Sequence, residues 1–181
     1  MKISELQASN PSVYSTDKFT GHAYGEFYDK LFEGKENENL CILEVGVNEG
    51  GSIRLWHDYL RKSITVGIDI VDLWRGADKS DYPRLALLLN SNAYVEIPSF
   101  IYVDFDVIVD DGPHTIESQI YALKNFPSYL KSGGLLVIED VPSGVESEII
   151  KHAPPGGQVE VIGLRHITGR WDDCLITFKK D

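Results

Sequence analysis

The sequence predicts an α/β fold built on a seven-stranded, mostly parallel sheet that ends in an antiparallel hairpin. Three observations carry this reading. Seven short apolar runs recur along the chain, and the first five are hydrophobic almost without interruption, as strands covered on both faces are. Two intervening segments carry one apolar stripe at helical spacing. A glycine-rich turn follows directly on the first run. At 181 residues and 43% hydrophobic content, the chain suffices for one domain with one sizeable core.

Taken in order, residues 1–36 form a partly helical N-terminal extension, in which FYDKLF offers apolar positions to pack on the body. Residues 37–181 form the main domain. Its runs are Leu40 to Val47, Ile64 to Val71, Arg84 to Leu89, Phe105 to Asp110, Leu135 to Asp140, Val159 to Leu164 and Cys174 to Lys179. Between the first two, Ile53, Leu55, Trp56, Tyr59 and Leu60 share a stripe in a helix over Ser52 to Lys62. Between the fourth and fifth, Ile116, Ile120, Leu123 and Phe126 do the same over Thr115 to Leu130. The polar stretch from Val71 to Arg84 has room only for an abbreviated helix or a loop. Only a short segment broken by Gly169 joins the last two runs, which fits a hairpin.

Composition narrows the partners. A formal net charge of −11 argues against nucleic acid, whose binding is driven largely by clustered Lys and Arg. No apolar run approaches the roughly 20 residues needed to cross a bilayer, and MKISELQASN lacks the apolar core of a signal peptide, so a soluble, cytoplasmic protein is expected. Cys41 and Cys174 lie in apolar runs without metal or disulfide spacing and read as buried free thiols.

The turn after the first strand reads EVGVNEGGS, Glu44 to Ser52. Gly46, Gly50 and Gly51 let the backbone bend sharply and approach a ligand closely. Asp69 ends the second strand about 20 residues on, where nucleotide folds hydrogen-bond ribose hydroxyls. The spacing is not that of a dinucleotide fingerprint, and the acids Glu44 and Glu49 suit a cationic ligand better than a pyrophosphate. S-adenosylmethionine, with its sulfonium and amino group, fits that chemistry. A plain strand-to-helix turn is the alternative.

The second signal is VIVDDGPH, Val107 to His114, paired with LLVIED, Leu135 to Asp140. In an open parallel sheet the ligand site lies outside the carboxyl ends of the strands. Neighbouring strands would therefore bring Asp110 and Asp111 near Glu139 and Asp140. Oxygen-rich sets of this kind suit Mg²⁺, Ca²⁺ or Mn²⁺ better than zinc, with Asp111, Glu139 and Asp140 as the ligands. His114 lies in the same tight turn and could take a proton from a hydroxyl held by the cation. Plainer readings exist for each residue: Asp110 fixes the turn backbone, His114 caps or packs on the next helix, and Asp140 makes a turn before Pro142.

STDKFTGHAYGEFY near the N-terminus, LEVGVNEGGS, GIDI, VIVDDGPH and LLVIED together resemble the class I, metal-dependent sugar O-methyltransferases of macrolide biosynthesis, of the mycinamicin and macrocin type. The resemblance spans about Ser15 to Asp140. It implies a Rossmann-like class I methyltransferase fold, S-adenosylmethionine as cofactor, Mg²⁺ or another divalent cation on Asp111, Glu139 and Asp140, and His114 as general base. It also implies a cofactor site of Glu44, Gly46, Gly50, Asp69 and Asp110, with Asn92 placed to meet the adenine amine. Lys18 and Tyr24 match an N-terminal segment that would close over the cofactor's methionine end. The implied partner is a small-molecule hydroxyl acceptor, with a sugar as the candidate. Whether the N-terminal segment is a lid or the contact of a homo-oligomer stays open, and a non-catalytic nucleoside-binding module or trimmed subunit is the rival reading.

Overall fold

The seven apolar runs form the strands of one sheet in the computed structural model, which describes residues 1–75, 78–95 and 104–181. They are β1 (Cys41–Val45), β2 (Ile64–Asp69), β3 (Leu85–Leu89), β4 (Phe105–Asp110), β5 (Leu130–Ile138), β6 (Gly157–Gly163) and β7 (Cys174–Lys180). The spatial order is β3-β2-β1-β4-β5-β7-β6. The first five strands run parallel, and β7 is antiparallel to both of its neighbours. From β1 the chain moves outward to β2 and β3, then returns to place β4 and β5 on the other side. The order therefore reverses between β1 and β4, where open α/β sheets form their crevice.

Six helices accompany the sheet among the described residues: α1 (Ile3–Ser9), α2 (Gly25–Phe32), α3 (Gly51–Tyr59), α4 (Ile116–Asn125), α5 (Glu146–Ile150) and α6 (Arg165–Thr168). The stripe predicted over Ser52 to Lys62 is α3, which stops at Tyr59 because Leu60 leaves helical geometry. The longer stripe from Thr115 divides. Thr115 caps α4 by accepting the Ser118 N–H, and a 3₁₀ turn with Pro127 in its first turn follows Asn125, since proline supplies no N–H to prolong the helix. Strand β5 begins at Leu130, five residues before the apolar run, through an exposed entry whose register shifts against β4. From Val71 to Arg84 the described residues hold only a 3₁₀ turn at Lys79–Asp81. The terminal pair is antiparallel as expected, but β7 inserts between β5 and β6, and the link carries α6, ended by Gly169.

Alternation along the central strands divides the core between the two faces. Ile42, Val107, Val109 and Val137 face one side, while Leu43, Ile108, Leu136 and Ile138 face the other. The first side is covered by α3 together with the N-terminal segment. Tyr28 and Phe32 of α2 set their rings 4.9 and 5.4 Å from Trp56 of α3, and all three side chains are buried. No helix among the described residues is long and apolar enough to cross a membrane.

Because Phe32 fills this interior without a polar obligation, Phe32→Ala should lower unfolding free energy by about 3–5 kcal/mol, the usual range for emptying a buried phenylalanine site. Urea unfolding measures this; a loss under about 1 kcal/mol would show that the N-terminal helices add little to the core.

Candidate active site

The parallel register aligns the strand ends. Val45 sits beside Ile68 and Asp110, and Asp110 beside Ile138, so the residues that follow converge on one edge. Gly46 takes φ +90°, and a Cβ there would lie 1.9 Å from the Asp111 carbonyl oxygen, so the β1 and β4 loops can approach this closely only at glycine. Gly50, at φ +87°, lies against the Trp74 ring. The four non-glycine residues with left-handed backbone among the described residues are Asn48, Asn90, His114 and Asp140, each in the loop after a parallel strand. Such conformations cost of order 1 kcal/mol or more and gather at functional sites.

A cleft of about 470 Å³ opens at this edge, lined by Gly46, Asp69, Asn92, Asp111, His114 and Asp140 among others. Its apolar lining comes from Ile68 and Ala93, which are buried, and Ile70 and Leu73, which are exposed. Asp69 is oriented by the glycine turn: its Oδ2 accepts the Val47 and Asn48 N–H groups at 2.7 and 2.8 Å, and Oδ1 accepts the Val71 N–H at 3.0 Å. Asn92 makes an Asx turn through the Tyr94 N–H at 2.9 Å. The Tyr94 hydroxyl donates to buried Asp110, whose carboxyl burial pushes up to about 7, against the hydrogen bond that favours its charge.

The polar half of the cleft centres on Asp111, His114 and Asp140, each with a potential ligand atom within 4.8 Å of the others. His114 Nε2 lies 3.1 Å from Asp111 Oδ1, and its Nδ1 lies 3.4 Å from Asp140 Oδ2. The opposite oxygens are held from behind: Asp140 Oδ1 accepts the Tyr24 hydroxyl at 2.6 Å, and Asp111 Oδ2 accepts Lys18 Nζ. Burial works against a charged imidazole, but the hydrogen bond to Asp111 and the charges of Asp140, Asp111 and Asp110 outweigh it and hold His114 up at about 9. Burial raises the Asp140 carboxyl above its ordinary range.

Glu139 stands behind this group. Its oxygens accept the Tyr28 hydroxyl and Lys18 Nζ, so the structure pairs it with the N-terminal segment and not with His114. Lys18, 1% exposed, also lies 3.6 Å from Glu44. Burial opposes its charge, yet Asp111, Glu139 and Glu44 more than compensate and keep it protonated. Glu44 is fully buried beneath the turn, bonded to Ser52 Oγ and Trp56 Nε1 at 2.7 and 3.1 Å, and burial pushes its carboxyl up to about 7. Glu49 pairs with Arg75 at 3.2 Å.

Of the residues singled out in the sequence, Gly46, Asp69, Asn92, Asp111, His114 and Asp140 thus line the cleft. Glu44, Lys18, Tyr24, Asp110 and Glu139 support that lining from behind, and Gly50 is packed under Trp74. Sequence reasoning missed Tyr28 as the partner of Glu139, and Tyr94 as the partner of Asp110. The spacing of Tyr24, Tyr28 and Phe32, four residues apart on one helical face, marks a buried stripe and could have found the first.

A family model described as a methyltransferase domain matches residues 43–141. Among curated proteins, the mycinamicin VI 2''-O-methyltransferase of Micromonospora griseorubida is 31% identical over 155 residues, covering 77% of this chain and 36% of that protein. The demethylmacrocin O-methyltransferase of Streptomyces fradiae is 29% identical, covering 72% and 35% respectively. The chain therefore spans about a third of the length of the curated relatives it matches. A methyltransferase of mycinamicin biosynthesis, solved in complex with Mg, SAH and mycinamicin VI, superposes with a TM-score of 0.61 at 28% identity, over 77% of this chain and 39% of that one. A TehB-like methyltransferase from Corynebacterium glutamicum covers 98% of each chain at TM-score 0.61 and 21% identity, a likeness of fold alone.

In chelator-treated protein the His114 imidazole should titrate near pH 9 by NMR, and Asp140→Asn should lower that midpoint. Since the folded value lies above the unfolded one of about 6.5, this cluster stabilises the fold fully below pH ~6.5 and loses the contribution as pH rises through about 9. A midpoint at or below 6.5 would mean the carboxylates do not act on the ring.

Proposed function

Because the chain belongs to the methyltransferase-domain family, we propose that it transfers the methyl group of S-adenosylmethionine to a hydroxyl of a small molecule, a sugar hydroxyl foremost, with a divalent cation held at the carboxylate mouth. The observation that carries this reading is one cleft with two unlike halves, an apolar slot flanked by Asp69 and Asn92 that meets a mouth of Asp111, His114 and Asp140. The relatives named for O-methylation of sugar-bearing antibiotics, and the related structure in complex with Mg and SAH, support the choice of acceptor and cofactors.

The residues present fit both groups. Ile68, Ile70, Leu73 and Ala93 would offer a planar base an apolar seat, Asn92 would hydrogen-bond it, and Asp69 would accept ribose hydroxyls. Gly46 leaves the backbone bare where a Cβ would fill the approach. Lys18 and Tyr24 brace the mouth from the N-terminal segment. Asp111 and Asp140, with Glu139 as third carboxylate, form an oxygen-rich set of the kind that suits Mg²⁺. When bound, the sulfonium supplies an electrophilic methyl and the cation lowers the pKa of the acceptor hydroxyl.

His114 then takes the hydroxyl proton. To do so it must be neutral, and Asp111 and Asp140 keep it protonated up to about pH 9 as long as their charge is uncompensated. A base here therefore works only where cationic charge offsets these carboxylates, so chelation should abolish turnover even while the donor remains bound. Positioning of donor and acceptor in one cleft supplies the remaining advantage.

Calorimetric titration should show S-adenosylmethionine and S-adenosylhomocysteine binding and NAD not binding, with Asp69→Ala weakening both by about tenfold or more, the loss of a well-formed hydrogen-bonding anchor. His114→Ala should leave S-adenosylhomocysteine affinity essentially unchanged and lower kcat by about 10²–10⁴-fold in a screen of sugar hydroxyls with Mg²⁺ present. Failure of both sulfur nucleosides to bind would remove the methyltransferase reading.

A further inference from the structure

The carboxylates at the mouth are not equivalent. Asp111 and Asp140 each turn one oxygen toward His114 and tie the other to the N-terminal segment, through Lys18 and Tyr24 respectively. Glu139 has both oxygens engaged, one by Tyr28 and one by Lys18. One buried ammonium thus serves three carboxylates, from Glu44 on β1, Asp111 after β4 and Glu139 after β5.

We propose that Lys18 and the divalent cation compete for Asp111 and Glu139, so that Lys18 sets how tightly the mouth holds the metal. The inference rests on the cation reading above. A cation that takes Glu139 as its third ligand has to win Oε2 from the ammonium, and the same contest holds for Asp111 Oδ2. With Lys18 in place, two positive groups draw on one set of buried oxygens, and in a site screened from water their repulsion is strong. Once displaced, the ammonium retains Glu44, 3.6 Å away, as an acidic neighbour. Lys18 is a positioning residue: its ammonium lies behind the cleft lining, against Asp111, Glu139 and Glu44, and it acts through these carboxylates.

Mn²⁺ binding to the full chain, followed by electron paramagnetic resonance without substrate, tests this. Lys18→Met should bind Mn²⁺ about tenfold or more tightly than wild type, since a neutral side chain of similar length leaves the carboxylates to the metal. Lys18→Arg should restore the weaker binding, and adding Glu139→Gln to Lys18→Met should remove the gain. A merely structural role predicts the opposite sign, a loss of affinity on removing Lys18. Unchanged or weaker binding by a folded Lys18→Met protein, with Mn²⁺ still binding wild type, overturns the competition alone. Absence of Mn²⁺ binding in wild type and Lys18→Met alike removes the cation reading itself. Should Lys18→Met fail to fold, hydrogen exchange of the wild type decides: saturating Mn²⁺ should speed amide exchange over residues 16–24, and unchanged or slower exchange refutes the proposal.

Discussion

A single buried ammonium holds together the edge on which the candidate site is built. Lys18 bridges Asp111 and Glu139 and lies 3.6 Å from Glu44, so carboxylates delivered by three neighbouring strands share one positive charge. Such groups are expensive to remove from water unless paired, and taking away one partner of a buried ion pair leaves an uncompensated charge. The N-terminal segment is consequently bound to the sheet by charge as well as by aromatic packing. Burial raises the Glu139 and Glu44 carboxyls, and the Lys18 ammonium opposes that rise at both.

Backbone geometry adds a second constraint. The parallel register sets Gly46, Asp69, Asp111 and Glu139 in a row, and the loops beyond them pack too closely for a Cβ at Gly46. Left-handed backbone at His114 and Asp140 turns these side chains toward each other across the mouth. Strain of this kind persists only where surrounding structure over-determines it. Here the Tyr24 hydroxyl bond to Asp140 and the Asp111 bonds to Lys18 and His114 supply that determination.

These constraints bring Asp111, His114 and Asp140 within reach of one another. Asp111 and Asp140, which meet the two ring nitrogens of His114, also hold its imidazole protonated. The family match over residues 43–141 runs from within β1 to just past the end of β5, the stretch that carries the glycine turn and the carboxylates. Lys18, Tyr24 and Tyr28, which hold those carboxylates from behind, lie outside it.

Seven strands, the two central helices, the glycine turn and the placement of acids at strand ends were legible in the sequence because each depends on local periodicity or on residues adjacent in the chain. Asp69, which ends β2, and His114, in the loop after β4, could be read as cleft residues for the same reason, since the carboxyl ends of parallel strands and the loops after them face the crevice. The insertion of β7 between β5 and β6 was not legible, because either hairpin strand satisfies the same alternation. Nor were the roles of Glu139 and Glu44. Their neighbours in sequence place them at the strand-end edge, but the arrival of Lys18, 121 residues before Glu139, sets the ion pairs they make there. By itself the sequence determined which residues could reach the strand-end edge. Only the tertiary structure decided which carboxylates meet His114 and which meet Lys18, because pairing of buried charges is settled by distances between segments far apart in the chain.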